Sequence, residues 1–295
     1  MFSKQVAVFL SLCHTGSFSR TAEKFLMSQG TVSKYITEIE QKFGPLIIRN
    51  HTGAHTNRQG KMVYDYFIEM INSEFEMDYK LIQSTEQYTS ITISTMPSIS
   101  NYFLFQIIKE FQSKFPLIAI QFYESSMRDW EKDLQPQNID FVFFHKMTEH
   151  ISQVDYDALL GEKDIFVGVV NENNKLSNKL SLHFDDLANE NFFLLDWGTK
   201  KVDPILKSLK LHGMENSVSY MGKSLDMVLS SVFEDIGISI LLKHTLPNKD
   251  LPQTKLIPFV DLDGGSVFLV RKRNENRSIA ARLFWEYVML NSLEK

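Results

Sequence analysis

Residues 16–60 read GSFSRTAEKFLMSQGTVSKYITEIEQKFGPLIIRNHTGAHTNRQG. Within them Val32, Ile36, Ile39 and Phe43 recur at spacings of four, three and four, the period of one helix face. Ser28 stands where an N-cap is needed, so a helix is expected over Gln29 to Phe43. Its opposite face offers Gln29, Thr31, Ser33, Lys34 and Thr37, short donors and one cation of the kind that reach base edges and phosphates in a major groove, with no acid before Glu38. Upstream, Val6, Phe9, Leu10 and Cys13 form a first helical stripe that Gly16 and Ser17 stop. Ser17 or Ser19 caps a second helix whose stripe is Ala22, Phe25 and Leu26, and Met27 leads into a tight turn. Downstream, Leu46 to Arg49 is strand-like, reverses around His51-Thr52-Gly53 and returns through Thr56. In a winged helix-turn-helix the first helix of the pair braces the second, whose N-terminal turns enter the groove while its dipole favours phosphate. Apolar stripes alone belong to any three-helix cluster, so the polar face and the hairpin carry the reading.

Charge supports the same end of the chain. The 295 residues carry a net −5, yet residues 1–60 hold seven bases against three acids, +4, which leaves −9 for the remainder. Only the front end is suited to phosphates.

The series Gly16-Ser17-Phe18, Ala22-Glu23, Ser28-Gln29, Val32-Ser33-Lys34, Ile39-Glu40, Phe43-Gly44, Leu46, Arg49 and Gly60 resembles the N-terminal signature of LysR-type transcriptional regulators. The resemblance implies that Gln29, Gly30, Thr31, Ser33 and Lys34 present the recognition helix to double-stranded DNA, with Ser28 and Thr37 beside them, and that Arg49 and the wing touch the backbone. Gly30 stands where the family usually has Pro, Lys34 where Arg is common, and His55 where Leu is usual. A lysine does not reproduce bidentate guanine contact, so base readout at Lys34 is expected to be weaker. The wing, Asn50 to His55, has no Lys or Arg, so its grip is expected to be modest or to depend on protonation of His51 and His55.

From Arg58 to about Gln87 the chain lacks Pro and has Gly only at Gly60, which predicts one long helix. Val63, Phe67, Met70, Met77 and Leu81 follow a heptad seam broken at Glu74, which fits pairing with a second copy in a homodimer and a dyad-symmetric operator. The alternative is a helix lying on its own C-terminal domain.

Beyond it, strands at Ser90–Thr95, Ile118–Tyr123 and Ile139–Phe144 alternate with helices through Phe103–Phe111 and Trp130–Leu134, an order that implies a largely parallel sheet. A second run starts at Ile165–Val170 and continues through Phe192–Leu195, a helix at Val202–Leu211, Val218–Met221 and Ile238–Leu242. The chain returns near Val267–Val270 and closes with a helix over Ile279–Leu290. This half resembles the family's effector domain, itself similar to periplasmic solute-binding proteins, and Asp235-Ile-Gly237-Ile-Ser-Ile-Leu-Leu242 matches its glycine-containing strand entry. The expected fold is therefore α/β: a winged helix-turn-helix over 1–60, a linker or dimerisation helix over 58–88 and a two-lobed effector domain over 90–295. Lobe one is about 90–163 with 265–295, and lobe two about 164–264. The resemblance implies a small-molecule effector between the lobes, near Ser94, Thr95, Met96, Ser98, His145, Trp197, Gly198 and Lys223. Ser94, Thr95 and Ser98 are expected near a helix N-terminus, where hydroxyls and amides hold an anion or simply cap the helix.

Other classes fit less well. At 295 residues two folded units are expected, each with its own core, and 23 Phe promise aromatic-rich ones. The single cysteine, Cys13, excludes an internal disulfide and lies in an apolar series, as a small buried residue rather than a nucleophile. The first residues do not read as an export signal and no run is long enough to cross a bilayer, so a cytoplasmic location without membrane contact is expected. A transport binding protein would need export. An enzyme is disfavoured because no nucleophile elbow, metal-spaced His/Cys set or phosphate loop is present, and no cofactor or metal is expected. Homodimer or homotetramer, activator or repressor, and contact with RNA polymerase are left open.

Overall fold

The computed structural model describes residues 3–51, 53–85, 89–124, 130–135, 138–146, 151, 155–196, 203–273 and 278–292. Three helices open the chain, α1 (Lys4–Thr15), α2 (Phe18–Lys24) and α3 (Gln29–Phe43), and each starts on a serine. The hydroxyls of Ser3, Ser17 and Ser28 accept from the amides of Val6, Arg20 and Thr31. Each satisfies an orphan donor at a helix start, a contribution of about 1 kcal/mol. Val6, Phe9 and Leu10 meet Ala22, Phe25, Val32, Ile36 and Ile39 in one buried cluster. Leu26 departs from the expected α2 stripe: its φ of 51° follows the helix end, and it packs against the apolar cluster of the C-terminal half that contains Leu134, Val142 and Phe144.

The strands β1 (Ile47–Asn50) and β2 (Gly53–Thr56) pair antiparallel with Arg49 opposite Ala54. This wing is tied to the turn between α1 and α2, because the Ala54 amide donates to the Gly16 carbonyl at 2.8 Å. A β-carbon at Gly53, whose φ is 127°, would lie 2.5 Å from that same oxygen, so only glycine fits the approach.

The long helix α4 (Arg58–Ser84) is capped by Asn57, whose carboxamide accepts from the Gly60 amide. Its buried stripe is Val63, Phe67, Ile71, Phe75, Asp78 and Ile82. This corrects the expected heptad seam: Val63 and Phe67 belong to the core of their own chain, where Phe67 packs edge-on against Phe9 at 5.8 Å. The lower half lies on the C-terminal domain, with Phe75 against Phe115 and Tyr287. The physical reason is period. A straight helix advances 3.6 residues per turn, so a face four residues apart drifts away from a strict heptad over six turns. Met62, Tyr66, Met77 and Leu81 are left exposed on the other side.

Two sheets follow, the first mixed and the second antiparallel. The first, in order β4-β3-β5-β12-β6, comprises β3 (Thr89–Thr95), β4 (Ile118–Glu124), β5 (Phe141–Lys146), β6 (Tyr156–Lys163) and β12 (Ser266–Lys272). Around it lie α5 (Phe103–Lys114), the short α6 (Trp130–Asp133) and the closing α9 (Ile279–Asn291). The second sheet centres on β7 (Phe166–Asn171) between β10 (Ser239–Leu242) and β11 (Thr254–Pro258). A single bridge, Phe192 to Ile238, joins β10 to the parallel pair β8 (Phe192–Leu195) and β9 (Val218–Gly222). The helices α7 (Pro204–Leu211) and α8 (Leu225–Phe233) flank this unit.

β3 is parallel to β4 and β5, as the alternation predicts, but β12 runs antiparallel to β5 and β6. The expectation of a largely parallel sheet fails at this strand because the two crossovers lie side by side. The returning chain starts at Ser266, beside Lys163 where β6 ends, and has to run back the other way. In the second sheet, Pro258 at the end of β11 likewise sits opposite Val167 at the start of β7. The sequence reading also missed β6 and β11. Both are edge strands carrying Gly, Pro or charged residues, where alternation is weakest.

Candidate DNA interface and effector cleft

Burial of Val32, Ile36 and Ile39 leaves the opposite face of α3 to solvent. Ser28, Gln29, Gly30, Lys34 and Thr37 are exposed, and Thr31 and Ser33 are half-buried. Ser28 is held both by the Thr31 amide and by the Thr31 hydroxyl at 2.9 Å, and Gln29 donates to Ser19 at 2.8 Å. Arg49 reaches from the wing onto α3, donating to the Ser33 hydroxyl at 3.3 Å with its guanidinium stacked 4.4 Å from the Phe18 ring centre. Lys34 lies 4.0 Å from Glu38, an exposed pair worth little against phosphate. Wing, turn and recognition helix are thus brought together, with Arg49 as the link. His51 and His55 are exposed on the wing.

Not every base of the head faces that side. Lys4 lies near Asp157 of the first sheet, and burial draws its ammonium below its ordinary range. Lys24 donates to the Ser292 carbonyl beyond α9, while Glu23 pairs with Lys163 of β6 at 2.8 Å. Cys13 is partly buried, and burial pushes its thiol up to about 12, so it is no nucleophile at neutral pH.

The crossovers between the sheets form a compact polar cluster. The Asp164 carboxylate is fully buried; Tyr102 donates to it at 2.6 Å and the His244 imidazole lies 3.0 Å away. The rings of Tyr102 and His244 stack at 4.5 Å. Burial opposes ionisation of Asp164, but His244 and Tyr102 outweigh it and hold the carboxyl below its usual value. Asp164 in turn lifts His244 above an ordinary histidine. His145, at the end of β5, donates to the Gly264 carbonyl, and burial draws its imidazole downward. Asn101 donates to the carbonyls of His244 and Leu246, joining the two units again.

The expected effector residues fall into three groups. Ser94, Thr95 and Met96 are buried; Ser94 donates to Asp133 at 3.3 Å and Thr95 to the Met96 carbonyl. A 3-10 turn, Pro97–Asn101, separates them from α5, whose first amide, at Phe103, is taken by Glu162 at 2.5 Å. The helix N-terminus expected beside the three hydroxyls is therefore occupied by a carboxylate of β6. Ser98 is half-buried and Lys223 exposed. His145 is tied to the crossover. Trp197 and Gly198 lie outside the described residues. Sequence reading missed Tyr102, Glu162, Asp164, His244 and Gly264, whose only trace was an acid at the boundary between two apolar strands.

A winged helix-turn-helix with an exposed polar recognition face, a long connecting helix and a paired α/β unit define a DNA-binding regulator with a ligand-binding domain. Residues 3–61 match the bacterial regulatory helix-turn-helix model of the lysR family and residues 85–290 the LysR substrate binding domain, so this chain belongs to the LysR family of transcription regulators. It is similar to the HTH-type transcriptional regulator MJ0300 of Methanocaldococcus jannaschii, 26% identical over 292 residues that cover 95% of this chain and 96% of the relative. Among solved structures it resembles full-length CbnR complexed with its target DNA, with a TM-score of 0.57 at 12% identity, covering 99% of each chain. It also resembles the BenM effector binding domain with its effector benzoate, with a TM-score of 0.54 at 18% identity, covering 70% of this chain and 95% of that one. The family consists of regulators, not enzymes, and the chain is a DNA-binding transcription regulator with an effector-binding domain. No helix among the described residues is long and apolar enough to cross a membrane.

Proposed function

We propose that this regulator reads a dyad-symmetric promoter site in the cytoplasm as a homodimer or a dimer of dimers, with residues 1–60 as the DNA head, 58–88 as the linker and 90–295 as the sensor. Gln29, Gly30, Thr31, Ser33, Lys34 and Thr37 meet the major groove, Ser28 fixes the helix start that faces phosphate, and Arg49 grips the backbone. The observation that carries this reading is the division of α3: Val32, Ile36 and Ile39 are buried while Gln29, Lys34 and Thr37 are open beside Arg49. The outward stripe of α4, Met62, Tyr66, Met77 and Leu81, supports pairing of two copies.

A small-molecule effector sits between lobe one, about 90–163 with 265–295, and lobe two, about 164–264, near Ser98, His145, Trp197, Gly198 and Lys223. Ser94, Thr95 and Met96 form the wall behind them. Such a ligand biases the angle between lobes, and through α4 the spacing of the heads, so ligand and DNA affinities are reciprocally linked. The test is a salt-controlled gel shift on DNA upstream of the protein's own gene, comparing wild type with Ser33→Ala and Lys34→Ala. Specific retardation that weakens in both variants is expected. Well-folded wild type that discriminates no sequence would overturn the reading.

A further inference from the structure

The two lobes meet where their crossovers touch, and titratable side chains are gathered at that joint. The Asp164 amide donates to the Gly265 carbonyl at 3.0 Å, which closes one crossover on the other. Beside it the turn Pro97–Asn101 of lobe one faces the turn Lys243–Thr245 of lobe two. Asn101 spans the two turns, donating to the carbonyls of His244 and Leu246 at 2.9 and 3.0 Å. Those amide bonds are indifferent to pH, and the neighbouring contacts are not.

Asp164 is the anion at the centre. Its side chain has 0% exposure, so water does not share its charge. Tyr102, the Ile165 amide and the His244 amide donate to it at 2.6, 2.9 and 3.3 Å. The His244 ring completes the set: its Nδ1 lies 3.0 Å from Asp164 and its Nε2 3.9 Å from Glu162 of β6, while Tyr102 stacks on it at 4.5 Å. The other ionisable groups near the ring are Lys243 on its own turn and His145, which lies beside Asp263 and which burial draws downward. Two acids therefore face the imidazole against one exposed lysine, and it holds its proton more readily than a free histidine. With 22% of its side chain exposed, it exchanges that proton with solvent while the protein stays folded.

We propose that Tyr102, Asp164 and His244 form a proton-operated latch between the lobes. Charged, His244 neutralises the buried Asp164 carboxylate and holds lobe two against the Pro97–Asn101 turn of lobe one. Uncharged, it leaves Asp164 with dipolar partners alone, and the lobes part more easily. His244 is raised above 6.5, so its contribution is complete below 6.5 and is lost as pH climbs through its folded value. Asp164 is held below 3.8, so its contribution is complete above 3.8 and fails only in stronger acid. The latch is closed at mildly acidic pH and released on the alkaline side, which makes the proton a regulator of the cleft. It rests on the two-lobe division alone; neither an effector nor DNA enters its test, so failure of the latch and failure of the gel shift are separate results.

Spin labels at Lys109→Cys on α5 and Lys210→Cys on α7, both exposed positions, read the separation of the lobes by pulsed electron–electron distance measurement. The full-length chain carries Cys13→Ala, and labelled protein is diluted in unlabelled protein so that only distances within one chain are seen. One narrow, short distance is expected at about pH 5.5, with a longer-distance fraction that grows towards about pH 9. His244→Gln is expected to give the alkaline distribution throughout. Tyr102→Phe keeps the stacked ring but throws Asp164 more heavily onto His244, and the midpoint of the change moves to higher pH. A merely structural role for the ring would leave that midpoint in place. His183→Gln, which removes an imidazole paired with Asp261 at 2.8 Å elsewhere in lobe two, leaves the curve unchanged. The proposal is overturned if wild-type distances are the same from acid to alkali, if His244→Gln still responds to pH, if Tyr102→Phe keeps the wild-type midpoint, or if His183→Gln abolishes the response.

Discussion

At Gly264 the two crossovers touch, and a β-carbon there would lie 2.0 Å from the Asp164 carbonyl oxygen. A backbone oxygen has no rotamer to retreat into, so Gly264→Ala forces the crossovers apart. The expected loss is about 1–3 kcal/mol, read as a lower urea midpoint at unchanged m-value. Local chemistry of this kind was legible only where neighbours in sequence are neighbours in space. Ser28 announces itself as a cap three residues ahead of the amide it holds, the structure chooses Ser17 over Ser19 for α2, and the family resemblance put Arg49 on the DNA side. Asp164, Tyr102 and His244 announce nothing, because the hydrogen bonds that define them span 62 and 80 positions.

The connecting helix has two faces of different character. On the inner face Arg282 of α9 pairs with Asp78 at 2.6 Å, and nearby Glu286 is buried; burial, aided by Glu74, pushes its carboxyl up to about 7. An acid whose folded pKa is raised binds its proton more tightly when folded. Its stability contribution is therefore greatest below its unfolded value of 4.5 and declines as pH rises to about 7. Glu286→Gln removes the penalty of a buried ionised carboxylate. Thermal and urea unfolding should show a gain on the order of 1–3 kcal/mol at pH 8 and none at pH 4; an equal gain at both would mean that packing rather than charge is responsible. On the outer face Met77 and Leu81 are 60% and 45% exposed in the single chain. Met77→Glu with Leu81→Glu is expected to weaken self-association more than tenfold in sedimentation equilibrium with the far-ultraviolet circular dichroism unchanged, since a charge pair disrupts an intermolecular face but no intrachain one.

At the scale of the molecule, the positive head sits on a negative body, which confines attraction for nucleic acid to one end. Geometry divides the head's bases further. Lys34 and Arg49 lie on the recognition side, whereas Lys4 is turned towards Asp157 of the sensor. Counterion release then distinguishes them: Lys34→Ala should reduce the slope of log affinity against log salt by about one, and Lys4→Gln should leave it unaltered. Fluorescence anisotropy across a salt series measures both. A slope that falls equally in the two variants would mean that the head leaves its lobe when it meets DNA.

By itself the sequence determined the head, the length of the linker helix and the alternation of strands and helices after it. These follow from short-range period, caps and turns, which act between residues fewer than about ten apart. Tertiary structure alone decided which stripe of α4 turns inward, that β12 runs against its neighbours, that Glu162 rather than a ligand closes the N-terminus of α5, and that the head rests on lobe one. Each of those depends on where distant segments meet. Burial free energy is set by the whole assembled surface and leaves no periodic trace in any one segment.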